Sequence, residues 1–100
     1  MLSSLKAVLK KIKSDLTEKD QIRKDSHENM RKATSLSKRA ILLIHQKRFD
    51  EAEKTLSEAQ EIILGLQALA DKCPEIVHGG MFSAALQEHS EAVIFLNLVK

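Results

Sequence analysis

The chain has 100 residues, of which 43% are hydrophobic and only three are glycine and one proline, so a single helix-rich unit is expected over residues 1–100. Three phenylalanines with no tryptophan or tyrosine make any core aliphatic and nearly exclude aromatic platforms for stacking bases. The sole cysteine, Cys73, excludes an internal disulfide and a cysteine-based zinc site and fits a reducing, cytoplasmic setting. No apolar run reaches the roughly 18 residues needed to span a bilayer, and no membrane partner is expected.

The net charge of +2 hides an asymmetry. Residues 1–49 hold 13 Lys/Arg against 5 Asp/Glu, a net +8, and residues 50–100 hold 3 against 9, a net −6. A basic half attracts polyanions through Coulomb forces and counterion release. The plainer alternative is that oppositely charged helices pair with one another.

Leu2, Leu5, Leu9, Ile12 and Leu16 step by three and four, the seam of a helix that packs on another helix. The segment is also basic and amphipathic, as targeting peptides are, but its seam runs on past Asp15 into the chain. Only Ile22 is apolar between Thr17 and Asn29, after which Met30, Ala33, Leu36, Ala40, Ile41 and Ile44 resume a wide stripe. One long helix over about 2–46 is therefore expected, on the order of 65 Å at ~1.5 Å per residue, with a break near Asp25 and Ser26 as the alternative.

A second helix, about 51–71, is expected to start at Asp50, with Glu53 completing a capping box and Phe49 just outside. Its seam of Phe49, Ala52, Leu56, Ala59, Ile63, Leu66 and Ala70 is regular, so it should lie antiparallel to the first. Pro74 and the Gly79–Gly80 pair mark a connector in which glycine supplies backbone freedom or close approach. The third helix, about 81–99, is still apolar at Lys100, and further residues are expected beyond it. The fold class is thus all-α, an antiparallel bundle of about three long helices. Continuous seams on three helices also predict self-association, with a homo-oligomer as the expected state.

Chemistry concentrates in Leu86-Gln87-Glu88-His89-Ser90-Glu91-Ala92-Val93. Glu88 and Glu91, three apart, share a face that by projection also carries Met81, Ala85, Ala92 and Phe95, so both carboxylates are expected to interrupt an apolar seam. A carboxylate there must be paired, protonated or metal-bound, and two together suit Mg²⁺ or Mn²⁺. Salt bridges to the first helix are the equal alternative. His89 projects away from Glu88 and reads as surface or partner-facing, while His27 and His78 read as solvated.

Two looser patterns compete. Arg39 and His45 bracket five apolar residues in the spacing of helical HEPN-type ribonucleases, and Arg48 to Lys54 reads like the start of a tetratricopeptide-type unit without a second copy.

Ser37-Lys38-Arg39-Ala40-Ile41-Leu42-Leu43-Ile44-His45 resembles the first-helix signature of the translin and translin-associated factor X family, closer to the factor X branch. Leu86 to Phe95 resembles that branch's acidic signature, in the same order. The resemblance implies an N-terminal half of an all-α fold that assembles into hollow shells and binds single-stranded RNA or DNA. It implies a metal-dependent endoribonuclease site at Glu88 and Glu91, with Lys38 as a weaker catalytic candidate. Later helices of the family supply a further acidic residue, so weak metal binding and little cleavage are expected of these residues alone. Phosphate contacts are expected from Lys10, Lys11, Arg23, Lys24, Arg31, Lys32, Lys38 and Arg39. A noncatalytic scaffold or interaction module is the alternative.

Overall fold

A computed structural model describes residues 2–100. Three helices make up the chain: α1 (Leu2–His45), α2 (Phe49–Leu69) and α3 (Gly80–Val99), with a short 3₁₀ turn at Pro74–His78 between the last two. Among the described residues there is no strand. α1 runs through Asp25 and Ser26 without a break, and its length dominates a molecule measuring 69 × 20 × 16 Å.

A tight turn folds α2 back along α1. The Lys47 amide donates to the Ile44 carbonyl and the Arg48 amide to the Leu43 carbonyl, both at 2.9 Å, while Lys47 adopts a positive φ of 61°. This is a Schellman closure, which satisfies the last carbonyls of α1 with a left-handed residue just past its end. Because the closure completes the reversal by Arg48, Phe49 is already helical and the expected capping box does not form. Asp50 and Glu51 lie in the first turn, where their charge favours the helix N-terminus, and Glu53 instead pairs with Lys100 at the end of α3.

The core forms where alanines let three helices approach closely. At one end Met30 and Ala33 of α1 meet Ile63 and Leu66 of α2, Cys73 and Ile76 of the connector, and Phe82 and Ala85 of α3. At the other end Ala40, Leu43 and Ile44 meet Ala52, Leu56, Ala92 and Leu96. These partners make α2 antiparallel to α1 and α3 parallel to it. The connector owes its position to buried Cys73 and Ile76 rather than to its glycines. Gly79 has an ordinary φ of −86°, and a side chain at Gly79 or Gly80 would meet nothing within 4 Å.

Only the C-terminal half of α1 belongs to this bundle. Residues 2–21 are all exposed, and the seam residues Leu2, Leu5, Leu9, Ile12 and Leu16, with Val8, are 50–75% exposed. The expected seam is therefore present but unpartnered within the chain, on an arm of about 30 Å.

Candidate nucleic-acid interface and carboxylate pair

The exposed face of α1 carries the basic residues. Lys24, Arg31 and Lys38 are spaced by seven residues, close to two helical turns, and so share one face; Lys32 and Arg39 form a parallel pair beside it. Arg31 and Lys38 line a shallow groove against Met81 and Ala84 of α3, together with Thr34 and Ser35. Lys10 and Lys11 lie on the arm and Arg23 just past it, all three exposed.

Among the described residues only Lys24 of these eight is ion-paired, with Asp20 at 3.5 Å, and both side chains are exposed. Arg39 differs from the rest in facing a groove that also contains Glu51, Glu58 and Glu61 of α2. Arg39 thus shares a groove with acidic residues of α2, while Arg31, Lys32 and Lys38 do not.

The carboxylate pair stands on the edge of α3 nearest α1. Glu88 is one turn beyond Ala84 and half-buried, while Glu91 is exposed and accepts a hydrogen bond from Gln87 Nε2 at 3.2 Å. The packed face of α3, made of Phe82, Ala85, Ala92 and Leu96, shares Ala85 and Ala92 with the projected seam but leaves Glu91 and Met81 outside it. The projection that set both glutamates inside an apolar seam was rotated from the true one, because α3 carries apolar residues on nearly every side. Met81, Ile94, Leu98 and Val99 all face outward.

His89 belongs to the packed face instead of the surface. It is half-buried, and its Nε2 lies 3.3 Å from the Leu56 carbonyl of α2. The signal was its register with Ala85, Ala92 and Leu96. His27 and His78 are exposed, as expected.

Neither glutamate has an ion-pair partner among the described residues, so the salt-bridge alternative to α1 is not realised. No third His, Cys, Asp or Glu among them joins the pair to make a metal-holding cluster. Two hard oxygen donors leave most of the coordination of a Mg²⁺ or Mn²⁺ ion to water, and the donor set falls short of a resident metal centre. Lys38 lines the recess beside Met81 and Ala84, and neither Glu88 nor Glu91 is part of that recess.

Arg39 and His45 are not brought together. Arg39 faces α2, whereas the His45 ring packs on Phe95 of α3 with centroids 4.9 Å apart, so the HEPN-type pattern does not form a site. No helix among the described residues is long and apolar enough to cross a membrane. Comparison of the chain with family models, curated proteins and solved structures gave no match.

Proposed function

We propose that this chain binds single-stranded RNA or DNA through the exposed basic face of α1, in the manner its resemblance to the translin family implies. The observation that supports this most is the set Arg31, Lys32 and Lys38, which is exposed, lacks ion-pair partners among the described residues and stands on the packed half of a continuous helix. Cations held in a row by a rigid helix meet successive phosphates without reading bases. With no tryptophan or tyrosine to stack bases, the binding rests on charge and tolerates any sequence.

The reading is noncatalytic for this chain. Glu88 and Glu91 offer Mg²⁺ or Mn²⁺ two carboxylates, and an endoribonuclease would need a further acidic ligand from elsewhere. Cleavage is proposed only for a form that supplies that ligand.

Fluorescence anisotropy of a labelled single-stranded RNA at low salt tests the proposal. Binding should be insensitive to base sequence and weaker for the variant Arg31→Gln with Lys32→Gln. No binding of the intact chain at low salt would reduce the charge asymmetry to intramolecular balance.

A further inference from the structure

The arm is a helix whose apolar stripe nothing in its own chain covers. A lone helix of this length is marginal in water, and most helical stability in proteins comes from packing an apolar face. Leu2, Leu5, Val8, Leu9, Ile12 and Leu16 form the stripe, and each is at least half exposed. At about 100° per residue they fill a sector of roughly 120°, wider than a coiled-coil seam because Val8 extends it.

The charges around the stripe have one sign. Residues 2–14 contain Lys6, Lys10, Lys11 and Lys13 and no acidic residue, and none of these lysines is ion-paired among the described residues. Lys6 and Lys13, seven residues apart, follow one border of the stripe, while Lys10 and Lys11 lie on the opposite face with Ser3 and Ser14.

A second copy of the arm is a poor occupant of the stripe. With Leu2, Leu9 and Leu16 at one core position and Leu5 and Ile12 at the other, a parallel pair sets Asp15 opposite Asp20 of the other copy, and an antiparallel pair sets Lys6 opposite Lys13. Both orientations bring like charges together. The bundle of a second copy fits no better, because its groove between α1 and α3 is lined by Arg31 and Lys38.

We propose that the arm lies on the surface of an anionic lipid bilayer, with its aliphatic stripe at the acyl boundary and its lysines among the headgroups. A helix with a broad apolar sector and a basic polar face rests in the interface plane instead of crossing it. It needs no spanning length, so the lack of an apolar run of roughly 18 residues does not bear on it. The stripe holds only aliphatic side chains, with no polar or aromatic member to fix a register, and this suits a fluid medium better than a shaped groove. Because Lys6 and Lys13 border the stripe, their aliphatic stems run along the apolar surface and their ammonium groups reach lipid phosphates. Arg31, Lys32 and Lys38 stand on the packed half of α1, so the lipid and nucleic-acid surfaces are separate parts of one helix.

The test is flotation of the intact chain with lipid vesicles. The chain should float with vesicles of equal parts phosphatidylserine and phosphatidylcholine and not with phosphatidylcholine alone. A lysine near an anionic surface contributes roughly fivefold to binding, so Lys6→Gln with Lys13→Gln should weaken it by about 25-fold. Leu5→Gln with Leu9→Gln keeps the charge and the helix propensity and should abolish flotation. Neither leucine makes a bundle contact, so the thermal transition of that variant should match the parent's. Arg31→Gln, Lys32→Gln and Lys38→Gln together should still float.

No flotation of the parent with anionic vesicles would overturn the proposal, and a parental dimer in light scattering that Leu5→Gln with Leu9→Gln turns into a monomer would then give the stripe to a second copy. Flotation kept in the leucine variant, or lost in the triple variant, would also overturn it by placing the lipid contact on the bundle.

Discussion

Ser26 offers a test of the packing where the arm leaves the bundle. Its side chain is fully buried, and its Oγ is the one buried side-chain polar atom among the described residues without a hydrogen-bond partner. Other hydroxyls on these helices bond to the carbonyl one turn back, as Ser37 does to Ala33 at 2.9 Å and Thr34 to Met30 at 3.0 Å. An unbonded buried hydroxyl costs about 1–3 kcal/mol, and alanine adds up to roughly 0.5 kcal/mol of helix propensity. Ser26→Ala should therefore stabilise the fold by about 1 kcal/mol or more, since no bond is lost. In a domain of this size each such step raises the melting temperature by roughly 4–8 °C.

Ser37→Ala is the control, because there the lost bond offsets the propensity gain. Thermal unfolding followed by circular dichroism, with both variants at one protein concentration, should rank Ser26→Ala above the parent and Ser37→Ala at or below it. A loss of more than about 1 kcal/mol in Ser26→Ala would refute the reasoning, since it would require the hydroxyl to be bonded in the folded protein.

Three further outcomes follow from particular contacts. Lys47→Gly should stabilise by about 0.5–1 kcal/mol, because the left-handed turn costs a residue with a Cβ, and unchanged unfolding would argue against the Schellman closure. His89→Ala should destabilise by about 1 kcal/mol through the lost contact with the Leu56 carbonyl, a loss that denaturant titration would miss only if the ring were in solvent. Calorimetry with Mn²⁺ should give weak binding that disappears in Glu88→Gln with Glu91→Gln; a tight ion unaffected by both substitutions would place the metal elsewhere.

The seam of α2 was legible because its apolar residues keep to one stripe: every position from Phe49 to Ala70 that the spacing picks out is buried or half-buried. The stripe of α1 was equally clear, but periodicity reports that a face is apolar and not what covers it. The N-terminal stripe thus looked like core and stands in solvent. For α3 the pattern could not orient the helix, since large apolar residues lie all around it. The packed face is marked by its small residues, Ala85 and Ala92, which allow the close approach that leaves His89 inside and Glu91 outside. Asp50 was misread because the Schellman closure needs no particular side chain at Lys47, and the sequence carries no glycine to announce it. For the basic face the residues could be named from the sequence, but only the packing separates Arg39, opposite acidic residues of α2, from Arg31, Lys32 and Lys38.

That separation makes the salt dependence of binding the most direct test of the nucleic-acid reading. For single strands, each phosphate neutralised contributes roughly 0.7 to the slope of log affinity against log salt. Arg31→Gln, Lys32→Gln and Lys38→Gln together should flatten the slope by about 2, while Arg39→Gln alone should change it by much less than its share. If the triple variant kept the parent slope, or the intact chain showed no salt-dependent binding at all, the exposed face of α1 would not be the nucleic-acid surface.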